Sequence, residues 1–160
     1  MITLLTLFVL MLMGIFSMGI YSHKPPELGL IDGKLSPCPN KPNCVCSEGD
    51  TANAQNNIQP LSIAGMEDHI AWANLIDAVR ASGGSIQRHS DTYLHATFTS
   101  TLFRFVDDFE ARLDSTSHLI HIRSASRVGH SDFGVNRKRA ERIRLEYDKH
   151  SPPRTSRVIR

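Results

Sequence analysis

Marks of known chemistry are scarce in this 160-residue chain. It has no Gly-x-Ser-x-Gly turn, no His-Glu-x-x-His pair and no Cys-x-x-Cys. That removes the usual signs of a hydrolase elbow, a zinc protease and a thiol-rich zinc site. Eight histidines are present, yet none falls at a metal-binding spacing, and His118 and His121 would point to opposite faces of one strand. No metal and no cofactor is expected. The net charge of +2 is too small a surplus to hold a nucleic-acid backbone, so nucleic acid is not an expected partner either.

What the chain does have begins at its N-terminus. Ile2 to Tyr21 carries no charge and is dominated by Leu, Met, Phe and Ile. As a helix, twenty such residues reach about 30 Å, the hydrocarbon thickness of a bilayer. Residues 1–22 therefore read as a transmembrane anchor or a signal segment. Ser17-Met18-Gly19 would serve as a cleavage site, but the absence of Lys or Arg before the apolar run favours an uncleaved signal-anchor and a single-pass membrane protein. Two arguments oppose each other on orientation. Lys24 and Lys34 follow the span, which points to a cytoplasmic domain. Cys38, Cys44 and Cys46 sit in a Pro- and Asn-rich stretch with little apolar content, where an oxidised crosslink would matter. The expectation sides with export, to the periplasmic or extracytoplasmic side.

Residues 23–57 hold five prolines and show neither helical nor strand periodicity, so they read as an extended Cys/Pro-rich segment. The domain is expected over 58–149. From Met66 to Ala81, Trp72, Leu75, Ile76 and Val79 form one helical stripe, with Glu67 and Asp68 at its positive end and Gly83-Gly84 to stop it. Strands are expected at Ser85 to Arg88, Thr92 to Ser100, Phe103 to Leu113 and His118 to Ser124, joined by turn-like His89-Ser90-Asp91 and Ser115-Thr116-Ser117. A second helix from Asn136 to Lys149 would bury Ala140, Ile143 and Tyr147. Arg137/Glu141, Arg142/Glu146 and Arg144/Asp148 are spaced for pairs four apart. Residues 150–160 have no core-forming content and read as a disordered basic tail. The sum is an α+β fold, an antiparallel sheet of four to five strands with both helices on one face, behind the N-terminal transmembrane or signal segment.

Two local conflicts stand out. In the third strand Phe103, Phe105, Phe109, Ala111 and Leu113 share a face by period two, and so does Asp107. Either this carboxylate points towards the core and finds a cation, or a bulge at Asp107-Asp108 resets the alternation. Then, from Arg123 to Arg144, seven basic residues stand against Asp132 and Glu141, a local balance of +5 that leaves the rest of the chain at −3. Arg137, Lys138 and Arg139 open the last helix, where the macrodipole is positive and cations are unfavourable. They require carboxylates beside them, from Asp107, Asp108 or Asp132 or from an outside anion.

Three stretches carry a family resemblance: Leu35-Ser36-Pro37-Cys38-Pro39-Asn40-Lys41-Pro42-Asn43-Cys44-Val45, Phe103-Arg104-Phe105-Val106-Asp107-Asp108-Phe109-Glu110, and Arg123-Ser124-Ala125-Ser126-Arg127-Val128-Gly129 running into Asp132-Phe133-Gly134-Val135-Asn136-Arg137. In this order, within residues 28 to 147, they resemble the domain of unknown function 1499 (DUF1499). The resemblance implies a domain of bacterial envelope-type and plastid proteins, with no established reaction. One departure is Cys46, which takes a position where members usually have serine, leaving an odd thiol.

For Cys38 and Cys44 the favoured reading is a disulfide closing the Pro-Asn loop. The alternatives are a zinc site built from three thiols and a histidine, and simple unpaired cysteines in a cytoplasmic domain. The candidate site is Arg104, Asp107, Asp108, Arg123, Ser124, Ser126, Arg127, Asp132, Asn136 and Arg137. As a binding surface it would offer guanidinium and backbone donors to an anionic small molecule, a lipid headgroup or a protein partner's carboxylates. A non-enzymatic binding or scaffolding module of the envelope is the expected function. Its rivals are a hydrolase using Ser124 or Ser126 with Asp132 and His130, and a purely structural domain whose charges are all satisfied internally.

Overall fold

The computed structural model describes residues 2–48, 54–63 and 65–151. In chain order the elements are α1 (Ile2–Tyr21), β1 (Leu30–Ile31), β2 (Lys34–Leu35), β3 (Cys44–Cys46), a 3-10 turn (Ala54–Asn56), β4 (Leu61–Ser62), α2 (Asp68–Ala81), β5 (Ser85–His89), β6 (Tyr93–Thr99), β7 (Val106–Asp114), β8 (Leu119–Ser126) and α3 (Val135–Asp148). The tail expected over 150–160 falls outside the described residues from 152 onward, as do residues 49–53 of the Cys/Pro-rich segment.

The fold is α+β and its main sheet is antiparallel. Strands β5 to β8 form a meander, and β8 is flanked on its far side by both β3 and β4, giving the order β3-β8-β7-β6-β5 with β4 also on β8. The four long strands were legible as alternating runs. The two short ones, of three and two residues, were not, because too few positions exist to show a period.

Both helices lie on one face of this sheet. Helix α2 buries Ala71, Trp72, Leu75, Ala78 and Val79, a stripe at helical spacing, while Asp68 occupies its electropositive first turn. The chain leaves α2 through Gly83, at φ +91°, and Gly84 then passes so close to Val79 and the Phe98 ring that a Cβ would collide with both. Helix α3 buries Ala140, Ile143 and Tyr147 against the same core, and the Tyr147 hydroxyl donates to the Ser62 carbonyl at 3.1 Å. Leu94, Ala96 and Phe98 of β6, Phe109, Ala111 and Leu113 of β7, Ile120 and Ile122 of β8, and Val45, Ile58, Leu61 and Ile63 share that core. Each fully buried Leu, Ile or Phe there contributes about 1.5–3 kcal/mol relative to exposure.

On α3, ion pairs three apart and contacts to neighbouring carbonyls stand where pairs four apart are expected for Arg137 and Glu141. Arg144 pairs with Glu141 and Lys149 with Glu146, each three apart, and Arg144 also donates to the carbonyls of Pro60 and Gln59. Fixed carbonyls of a neighbouring loop compete well against a mobile exposed carboxylate.

The opposite face of the sheet is covered by the segment read from sequence as an extended stretch outside the domain. Its β3 pairs with β8 in the register Cys44↔Ala125, Val45↔Ser124 and Cys46↔Arg123. Leu35 and Cys46 pack with Tyr93 of β6 as a small second core. Cys38 and Cys44 are joined by a disulfide, so a stretch poor in apolar residues is held by a crosslink and by strand pairing.

Candidate functional site

The site is organised by the alternation of β7. The sequence left open whether a bulge interrupts it, and the pairing is regular from Thr99↔Val106 to Tyr93↔Arg112 on one side and from Asp107↔Ser126 to Asp114↔Leu119 on the other. The irregularity lies instead in β5, between Ile86 and Arg88. Strand β7 also starts at Val106 rather than Phe103, because a turn at 101–103 and a left-handed Arg104 (φ +58°) break the extended run. Phe103 and Phe105 therefore do not continue the core face of Phe109. With no bulge, Asp107 faces the helices while Asp108 and Glu110 project from the covered outer face. The candidate residues form two clusters separated by the sheet.

On the helix side the hub is Asn136, which is 1% exposed. Its side-chain nitrogen donates to Asn43 O at 3.1 Å, Ser126 Oγ at 2.9 Å and Asp132 Oδ2 at 2.8 Å. Its side-chain oxygen accepts from Ser124 Oγ at 2.6 Å and from Arg139. Asp132 also accepts the backbone N–H groups of Gly134 and Asn136 at 2.9 and 2.7 Å, so a carboxylate caps the positive end of α3. Arg139 donates to Asp107 Oδ2 at 2.7 Å and to Ser124 Oγ at 3.1 Å, with its guanidinium 4.7 Å from the Phe98 ring centre. Of the crowded cations, Arg139 is neutralised by Asp107, and the helix end itself by Asp132. The sequence places Arg139 among the cations that need a carboxylate from Asp107, Asp108 or Asp132, although not among the candidate site residues. Its place three residues after Asn136, on the same helix face, was the available signal.

On the outer face, Asp108 is 2% exposed and takes Arg127 in a two-point contact, Nε to Oδ2 at 2.8 Å and Nη2 to Oδ1 at 2.7 Å. His95 Nε2 lies 2.8 Å from Oδ1 of the same carboxylate. Burial pushes the Asp108 carboxyl up, but Arg127 and His95 outweigh it and hold it below the ordinary carboxylate value. Glu110, fully buried, accepts from Arg123 Nη1 at 2.8 Å, Tyr93 OH at 2.7 Å and Gly29 N at 3.2 Å. Burial and then Glu110 push the Tyr93 phenol upward, keeping it a donor. One rung further, Glu48 binds Arg112 at 2.5 Å and the Leu35 N–H at 2.9 Å. Burial raises the Glu48 carboxyl, yet these donors hold it below its usual value. Alternate residues of β7 thus anchor successive parts of the N-terminal segment. Glu48 and Arg112 carried no motif and were missed by sequence reasoning.

Two candidates stand apart. Arg137 donates through Nη2 to the carbonyls of Gln55 and Asn57, both at 2.7 Å, at the edge of an open cleft of about 520 Å³ lined also by Asp132, Ser131 and Gly134. Arg104 is exposed, and its backbone carbonyl lies 3.1 Å from His23 Nε2. Ser124 is fully buried with its oxygen held between Asn136 and Arg139, and His130 is exposed. Cys46 remains a free, buried thiol, raised by burial and cross-strand from Arg123.

Arg127 has a second task. Its Nη1 donates to the carbonyls of Ser22 and His23, at 3.1 and 3.3 Å, just past the end of α1. That end exposes backbone carbonyls with partial negative charge, which a guanidinium satisfies. Helix α1 is long and apolar enough to cross a membrane or to act as a signal, and its residues apart from Gly19 are largely exposed.

A family model described as a protein of unknown function, DUF1499, matches residues 34–146, and the chain belongs to that family. No curated protein matches the chain.

Proposed function

We propose that this member of the DUF1499 family is a single-pass, membrane-anchored and non-enzymatic module, placed by its uncleaved N-terminal helix on the periplasmic or extracytoplasmic side. The Cys38–Cys44 disulfide supports that side, since such bonds persist in oxidising compartments. The observation that carries the scaffold reading is Arg127, which holds Asp108 of the sheet and the end of α1 with one guanidinium. An arginine used in this way frames the domain on its anchor. Asp107, Asp108, Arg123, Ser124, Ser126, Asp132 and Asn136 are engaged in the same internal networks and serve as frame rather than as ligand contacts.

Binding of a polar or anionic ligand then belongs to Arg137 and the cleft beside the 3-10 turn. Among the described residues its side-chain hydrogen bonds both fall on Nη2, which leaves the Nε and Nη1 N–H groups as single donors for a phosphate or carboxylate. Thermal shift of the full chain in detergent, with inorganic phosphate and simple dicarboxylates as probes, tests this. The melting temperature should rise with one of these anions in wild type and stay flat in Arg137→Ala. A wild-type protein indifferent to all of them would leave the purely structural reading. Ester hydrolysis abolished by Ser124→Ala would instead restore the hydrolase.

A further inference from the structure

Two loops of the domain carry large apolar side chains that the core does not use. Between β6 and β7, Leu102 is 77% exposed, and Phe103 and Phe105 are only half-buried. Between β8 and α3, Phe133 is 90% exposed, and Val135, the first residue of α3, is 45% exposed. Phe133 holds φ at +54°, a left-handed backbone that bulky residues rarely adopt. A large apolar ring is thus held largely in solvent on a backbone conformation unfavourable to it.

Both loops meet the last turn of α1. Gly19 packs on the Phe103 carbonyl so closely that a Cβ would run into the oxygen. Ser22 Oγ donates to Gly19 O at 2.5 Å and accepts the Val106 N–H at 3.0 Å, and Arg127 closes the same junction. Between helix and loops lies an apolar hollow of about 300 Å³, lined by Met18, Phe105, Val128, Phe133 and Val135. Tyr21, 67% exposed, ends the helix as an interfacial aromatic would. A spanning α1 of twenty residues places this turn at the lipid–water boundary, and the loops fixed to it must lie at the same level. Beside them, in a cleft of about 460 Å³ that includes Thr101, Lys138 and Arg142 stand four apart on α3, both exposed.

We infer that this face rests on the bilayer itself, with Leu102, Phe103 and Phe133 entering the headgroup boundary beside α1 and Lys138 and Arg142 meeting anionic headgroups. The inference rests on the proposed anchor role of α1, and continuity with that helix is what selects lipid as the occupant. It extends the lipid-headgroup expectation to a defined surface, distinct from the Arg137 cleft.

The test is nitroxide labelling of the full chain reconstituted into phosphatidylglycerol-containing vesicles, with single labels at Val9→Cys in α1, Leu102→Cys in the loop and Asp91→Cys in the exposed β5–β6 turn. Cys46 is buried and does not compete for label. Collision with oxygen is compared with collision with an aqueous nickel chelate. Val9 and Leu102 should both favour oxygen, and Asp91 the chelate. Gly19→Leu keeps α1 apolar while breaking its seat, and should move Leu102 to the Asp91 value. Replacing phosphatidylglycerol by phosphatidylcholine should lower the Leu102 oxygen preference about twofold or more in wild type and leave Lys138→Gln/Arg142→Gln unchanged. Leu102 matching Asp91 while Val9 favours oxygen overturns the docked face but leaves the anchor standing. A Val9 label that reads as aqueous overturns the anchor and the face together.

Discussion

Removing Arg127 probes the junction between sheet and helix. Its side chain is 7% exposed and that of Asp108 3%, so Arg127→Ala strands a desolvated carboxylate and frees the carbonyls at the end of α1. Breaking one side of a buried pair costs about 3–5 kcal/mol. His95 stays on Asp108 and retains part of the compensation, which places the expected loss near the lower limit, about 3 kcal/mol. For a domain of this size each kcal/mol shifts the midpoint by roughly 3–5 °C, so melting should fall by roughly 9–15 °C. Trp72 is 6% exposed and donates to Ser90 O, which makes its fluorescence a reporter of global unfolding. The double variant Arg127→Ala/Asp108→Asn should lose less than the sum of its parts, because the unpaired charge has gone. Acid adds an independent check. A carboxyl held low by its partners contributes stability that is whole above its unfolded value, about 4, and is lost as pH falls through the folded one. Arg127→Ala should flatten that acid dependence. A midpoint within about 3 °C of wild type, with the acid limb unaltered, would refute a desolvated pair and leave Arg127 as a solvated surface residue.

Cys38→Ser/Cys44→Ser opens a crosslink between residues six apart and should cost about 2 kcal/mol by chain entropy, read as a lower urea midpoint at unchanged slope. Treatment of wild type with a reductant should reproduce that midpoint, and a reduced protein as stable as the oxidised one would count against a structural role for the bond. Asn136→Ala removes a buried hub that joins Asn43, Ser124, Ser126, Asp132 and Arg139, and should destabilise by about 2–4 kcal/mol, since several buried groups lose partners at once. Asn136→Asp should also fail to restore it, because Asn43 O and Asp132 would then face a carboxylate; recovery of wild-type stability by Asp would contradict the donor role assigned to Asn136.

The α2 stripe at Trp72, Leu75 and Val79 and the alternation of Leu94, Ala96 and Phe98 were readable because each is a local repeat whose period matches its backbone. So was the apolar length of α1. At Asp107 the pattern posed the right question, a core-facing carboxylate or a bulge, and the answer came from Arg139, thirty-two residues away in the chain. Within residues 23–57, read as an extended segment, the contacts of residues 34–48 are hidden from the sequence for a related reason. Their stability comes from β8, from Glu48 with Arg112 and from a disulfide, none of which leaves a periodic trace in a Pro-rich stretch. The candidate list gathered basic and acidic residues by proximity in sequence, whereas strand alternation distributes neighbours such as Asp107 and Asp108 to opposite faces.

Composition and period were enough for the apolar N-terminal helix, the α+β class with its antiparallel sheet, and the need for acids at the start of the last helix. Partner choice lay beyond them. Asp132 at the opening turn of α3, Asp107 under Arg139, and Asp108 shared by Arg127 and His95 depend on antiparallel register and on the segment folded over the outer face. Electrostatic pairing acts through space over a few ångströms, and distances of that kind between residues far apart in sequence exist only once the chain has closed on itself.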